Sequence, residues 1–146
     1  MSKPTLAFSN FWQANYFVEN GILQDVHAIY SIALKIPQER TILSINGIKC
    51  LEFFCPNWEI LNKYHKDKDW EAYTESFIAL MKTRNTEAKA WLDSLQKDVV
   101  YMLCCWENTS KGAHCHRQLI YDAFKKNKKY SNELNLIYPH GNEKTL

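Results

Sequence analysis

The sequence predicts an α/β fold: a single three-layer domain, residues 1–146, with a mostly parallel sheet flanked by helices. Three observations carry this. Short apolar runs of strand length recur along the chain, at 6–9, 26–36, 41–45, 99–106 and 134–138. Between them lie longer stretches whose aromatic and aliphatic residues repeat at helical spacing. The run at 99–106 is apolar almost without alternation, as a strand covered on both faces should be.

A chain of 146 residues is the usual size of one compact domain. With 46% hydrophobic and 23% charged residues its composition is that of an ordinary globular protein, and the 14% aromatic content supplies a core. A net charge of +2 is too small to argue for nucleic acid by itself. No segment reaches the length needed to cross a bilayer, so no membrane association is expected. Five cysteines, an odd number, and no apolar leader predict a cytoplasmic protein with reduced thiols.

Taken in order, 6–9 is the first strand, with Ser9 and Asn10 at its polar exit. Residues 13–20 supply one or two helical turns, ended by Gly21. The second strand lies within 26–36, rich in β-branched and aromatic residues and stopped by Pro37. A third apolar run at 41–45 precedes the turn signal Asn46-Gly47. Residues 48–55 read as extended. Asn57 is placed to cap a helix through Tyr64, Asp69 the next, and Thr86 a third. In the second of these, Trp70, Tyr73, Phe77, Leu80 and Met81 form a stripe of core character. A helix over 116–127 follows the central strand, with Lys125, Lys126, Lys128 and Lys129 at the negative pole of its dipole. Strand, helix, strand over this length is a βαβ unit, so its strands should be parallel and its crossover right-handed.

Chemistry concentrates between Cys104 and Arg117. In open parallel sheets ligands sit beyond the carboxyl ends of strands, where the 105–117 connection must lie. Cys115 begins or precedes a helix, a position that lowers a thiol's pKa. Arg117, in the first turn, suits a carboxylate or phosphate, and the helix N-terminus adds N–H donors. His116 can act as acid or base near neutral pH. The same block also fits a structural clasp, with a buried thiol and Arg117 paired to Glu107. Zinc is a third reading, since Cys104, Cys105, His114, Cys115 and His116 are suitable ligands. Its spacing is poor: adjacent strand residues point to opposite faces, and no CxxC pair exists. Cys50 and Cys55 are expected to pack as small apolar groups.

Leu103-Cys104-Cys105-Trp106-Glu107 followed by Cys115-His116-Arg117 resembles the signature of the domain of unknown function 488 family. Its members show a strand ending Leu-Leu-Cys-aromatic-Glu, a variable loop, then Cys-His-Arg and a helix. Trp70-Glu71-Ala72-Tyr73 with Phe77 resembles the family's Trp-Glu-x-Tyr helix. Cys55-Pro56 and the following Trp58-Glu59-Ile60-Leu61 resemble its Ala-Pro segment and helix. Ser9-Asn10-Phe11 and Ser31-Ile32-Ala33 resemble its two N-terminal strand ends. Many members carry an Arg just after the second strand, where this chain has Leu34 and Lys35. If that Arg helps bind an anion, Lys35 substitutes imperfectly or the activity is lost. The resemblance implies an α/β fold and no settled reaction.

The expected site joins Cys115 as nucleophile, Cys105 as the alternative nucleophile, and Glu107 or His116 as the group that moves protons. Arg117, Ser9, Asn10 and Ser31 are the expected ligand-binding residues. The expected ligand is an anionic small molecule, a nucleotide or nucleic-acid component, with no metal and no cofactor. The rival expectation is a non-catalytic binding or regulatory protein with a protein or nucleic-acid partner.

Overall fold

Two strands, β1 (Thr5–Asn10) and β4 (Val100–Cys105), form the centre of the sheet in the computed structural model, which describes residues 3–19, 26–33, 48–105 and 114–138. They pair in parallel, Thr5 opposite Val100 through Asn10 opposite Cys105. In both, every residue after the first is buried, so both faces are covered, which the unbroken apolar run required. β2 (Val26–Ser31) lies on the other side of β4, and the two-residue β3 (Lys49–Cys50) pairs with β2 at the edge. β5 (Asn135–Ile137) pairs with β1 at the opposite edge. The order is β3-β2-β4-β1-β5, and every pair is parallel.

Side chains alternate across a strand. Leu6, Phe8 and Asn10 therefore share a face with Tyr101, Leu103 and Cys105, their partners in register. This face packs against the C-terminal helices. Phe8 is fully buried and meets Tyr121 and Phe124 at centroid distances of 5.6 and 6.4 Å. Burying such a side chain is worth roughly 1.5–3 kcal/mol. On the other face Ser9 aligns with Cys104, and Cys104 with Ser31. There Ser9 hydrogen-bonds to Gln13 of α1 (Phe11–Glu19), the helix that follows β1 directly.

Three helices follow β3. The α2 helix (Trp58–Asp67) is capped by Asn57, whose side chain accepts from the Ile60 N–H at 2.8 Å. Asp69 caps α3 (Trp70–Thr83) in the same way through the Ala72 N–H at 3.1 Å. Both caps follow from the sequence. The third does not: α4 (Asn85–Asp93) starts ahead of Thr86, which lies inside its first turn. Residues 48–55 are not extended throughout either. After β3 the chain turns through a short 3₁₀ helix (Glu52–Phe54). Its Phe53 and Phe54 pack on Trp91, and Arg84 donates to the carbonyls of Glu52 and Cys55 at 2.6 and 2.8 Å. Those long-range contacts hold a shape that local propensity does not specify.

The helix after β4, α5 (His116–Lys126), matches the expected span of 116–127 to within a residue, and a second helix that was not expected, α6 (Lys128–Glu133), follows at Asn127. The Asn127 side chain accepts from the N–H groups of Lys129 and Tyr130, so it caps the second helix. Lys128 and Lys129 thus begin α6 instead of ending α5. Lys129 offsets its unfavourable place on the dipole with Asp93, 3.7 Å away, and with the Tyr130 ring. The apolar run at 41–45, the Asn46-Gly47 turn and Gly21 lie outside the described residues. No described helix is long and apolar enough to cross a membrane.

Candidate functional site

The end of β4 and the start of α5 bring Cys105, Cys115 and His116 together. Cys115 is the residue before α5, in extended conformation, and its N–H is taken by the Gln118 side chain at 3.1 Å. That reach-back from the third helical position is half of a capping box, and it fixes Cys115 at the helix start. All three residues are buried.

His116 organises the cluster. Its Nε2 lies 2.5 Å from the carbonyl of Ile32, just beyond β2. A carbonyl can only accept, so Nε2 carries a proton, which leaves Nδ1 as the nitrogen that can take a proton from a neighbouring sulfur and charge the ring. Nδ1 lies 3.7 Å from the Cys115 sulfur and 3.8 Å from the Cys105 sulfur. The Phe77 ring stands edge-on at 5.2 Å. Behind it the α3 stripe continues: Phe77 stacks on Tyr73, Tyr73 on Trp70, and Trp70 on His114. The stripe is core, as its spacing predicts, and it also walls the imidazole.

The buried thiols of Cys104 and Cys115 differ. Burial pushes Cys104 up to about 12, and the positive charge of Arg117 only partly offsets this. Burial pushes Cys115 up as well. There a hydrogen bond with Cys105, the charge and hydrogen bond of His116, and the Arg117 charge outweigh it and hold the thiol well below its ordinary range. The arrangement favours a thiolate at Cys115 and a neutral thiol at Cys104.

Arg117 is completely buried. Its guanidinium carbon lies 5.6 Å from the centroid of Tyr138, so its charge is held inside the protein beside Cys115. Asn10 shares the Cys105 face and is buried; its side-chain oxygen accepts from the Gln13 N–H at 2.8 Å. Ser9 and Ser31 align with Cys104 on the other face. Ser9 donates to the Gln13 side chain at 2.6 Å, and the Ser31 hydroxyl donates to the Ala33 carbonyl and accepts from its N–H, both at 3.1 Å. These hydroxyls stabilise the ends of β1 and β2. Glu107, Trp106, Leu34 and Lys35 lie outside the described residues.

Cys104 and Cys105 do face opposite ways, the ground on which the sequence disfavoured a metal. Yet one ligand atom from each of Cys105, Cys115 and His116 falls within 4.8 Å of the others, a set that suits a metal ion. A groove of about 330 Å³ between α3, α4 and α5, lined by Phe77, Met81, Leu119 and Tyr130, includes none of these residues. The Ile32 carbonyl, which fixes the His116 tautomer, had no sequence signal, because it is a backbone atom.

A family model described as the active DUF488-N3 subclade, DUF488-N3a, matches residues 49–128. That span is more than half of the chain and contains Cys105, Cys115, His116 and Arg117. The chain belongs to the DUF488 family. The match starts after β1 and β2, so it includes the Cys-His-Arg block and leaves out Ser9, Asn10 and Ser31. No curated protein and no solved structure matches the chain.

Proposed function

We propose that this DUF488 protein is a thiol-dependent enzyme with Cys115 as its nucleophile, acting on an anionic ligand of the nucleotide or nucleic-acid class. One observation carries the reading: an imidazole pinned through Nε2 turns its Nδ1 toward the Cys115 sulfur at 3.7 Å. This is the nucleophile–base–orienter arrangement of covalent catalysis, with the Ile32 carbonyl as orienter. The thiol proton passes to Nδ1, and Cys105 stabilises the thiolate by hydrogen bonding. As the sulfur bonds to the electrophilic centre, the bond to the leaving group breaks and that group takes the proton from Nδ1. The Arg117 charge and the N–H groups at the start of α5 favour an anionic substrate.

The test is alkylation of each cysteine against pH, read site by site by mass spectrometry, with exposed Cys50 as internal reference. Cys115 should react at a pH where Cys50 is slow, and a nucleotide panel should contain a compound that protects it. A Cys115 that never outpaces Cys50 refutes the reading.

The Cys105, Cys115, His116 ligand set favours a second reading, a zinc site with an open fourth position. It predicts stoichiometric zinc in protein purified without chelator, and a Cys115 that alkylates only after zinc is removed.

A further inference from the structure

Cys50 and Cys55 were expected to pack as small apolar groups, which the structure bears out for Cys55 and not for Cys50. Cys50 is exposed, Cys55 is buried, and their sulfurs lie 3.4 Å apart. This is a contact between the two thiols. Closing it to a disulfide bond of about 2.05 Å requires a movement of little more than one ångström.

The chain between them is built to keep the sulfurs in contact. Cys50 is fixed by strand pairing opposite Ser31, and the Leu51 N–H continues the ladder to the Ser31 carbonyl. The 3₁₀ turn then folds the chain back, with Phe54 N–H to Leu51 O and Cys55 N–H to Glu52 O, both at 3.0 Å. Arg84 anchors the turn from the α3–α4 junction through the Glu52 and Cys55 carbonyls. Both sulfurs also approach the Ala33 carbonyl, at 3.9 Å from Cys50 and 3.7 Å from Cys55.

We propose that Cys50 and Cys55 form a second thiol site, a redox-active pair that is oxidised by small-molecule disulfides such as oxidised glutathione. The chemistry divides by exposure. The Cys50 thiolate attacks one sulfur of the small disulfide, whose S–S bond breaks and whose other half leaves as a thiol. The Cys55 sulfur, giving its proton to solvent, then attacks Cys50 and expels the second half. Two protein thiols are oxidised to one disulfide, and the small disulfide is reduced to two thiols. Burial, followed by the charge and hydrogen bond of Cys50, pushes the Cys55 thiol up, so the second step is slower and accelerates with pH. The pair sits on β3 and the turn after it, whereas Cys105 and Cys115 sit at the end of β4 and the start of α5, and the inference does not depend on the catalytic reading. Disulfides in reducing compartments are transient and regulatory in character, which suits a pair with one accessible sulfur.

The experiment exposes the full chain to excess oxidised glutathione and follows intact mass and peptide maps over time. The expected product lacks two hydrogens, carries its new crosslink between Cys50 and Cys55, and reverts with a thiol reductant. Cys55→Ser should stop at a stable glutathione adduct on Cys50. Cys50→Ser, an exposed and benign change, should give neither adduct nor crosslink at Cys55. The inference is overturned by a persistent adduct on wild-type Cys50, by unreactive Cys50 and Cys55, or by a crosslink confined to Cys105 and Cys115. Cys115 alkylation is read on other peptides, so failure here and failure of the catalytic reading are told apart.

Discussion

Replacing His116 by Phe separates the catalytic and structural roles of this residue. Phe keeps a ring against Phe77 and deletes both nitrogens. Two consequences can be sized. The Ile32 carbonyl loses its His116 donor, and a buried acceptor left unpaired costs about 1–3 kcal/mol. For a chain of this length that lowers Tm by roughly 2–4 °C per kcal/mol. Cys115 also loses two of the influences that lower its pKa, while burial, which raises it, is unchanged. Its midpoint should move toward or past the free-thiol value of about 8.5. At a pH below both midpoints, the thiolate population falls about tenfold for every pH unit the midpoint rises. The more basic thiolate regains about threefold in intrinsic reactivity, so the net slowing of alkylation is about threefold for the same rise. Stopped-flow alkylation between about pH 5 and 9, on either side of the expected midpoints, measures this directly when combined with peptide mapping. A variant that melts lower but keeps the Cys115 pH profile would show that His116 only supports the fold, and the reasoning would fail.

Two further outcomes follow from the same structure. The Cys115 pKa is depressed in the folded state, so its ionisation contributes stability that is present above the unfolded value of about 8.5 and is lost as pH falls through the folded value. Wild type should therefore gain stability over Cys115→Ser as pH rises across that window in urea titrations; a constant difference would contradict the depressed pKa. Phe8→Ala empties the contact of β1 with Tyr121 and Phe124 and should cost about 3–5 kcal/mol. A loss below about 1 kcal/mol, the range of a surface change, would mean that α5 does not rest on this residue.

The sequence was most legible where a local rule had no competitor. Asn57 and Asp69 start helices because their side chains satisfy N–H groups three residues on, and nothing distant interferes. The bare apolar character of 100–105 located the doubly covered strand at the centre of the sheet. Legibility failed where distant contacts decide. The turn at Glu52–Phe54 depends on Trp91 and Arg84, which are far along the chain. Asn127 reads equally well as the end of one helix and the start of another, and in the structure it is both: its N–H closes α5 on the Ala123 and Phe124 carbonyls while its side chain caps α6, with Tyr130 packed on Phe124. The Cys50–Cys55 contact was hidden for the same reason, since their spacing means nothing until that turn folds.

Cys104 and Cys105 carry the physical lesson of the site. They are neighbours in one strand, chemically identical and both buried. The pleat alone separates them. One points with Ser9 and Ser31, where burial keeps its thiol protonated. The other points with Asn10 toward α5, where His116 and Cys115 meet it. Composition cannot distinguish the two, but register can, because a one-residue slip of β4 would exchange their roles. The reactivity of the site is therefore a property of strand register as much as of the Cys-His-Arg block.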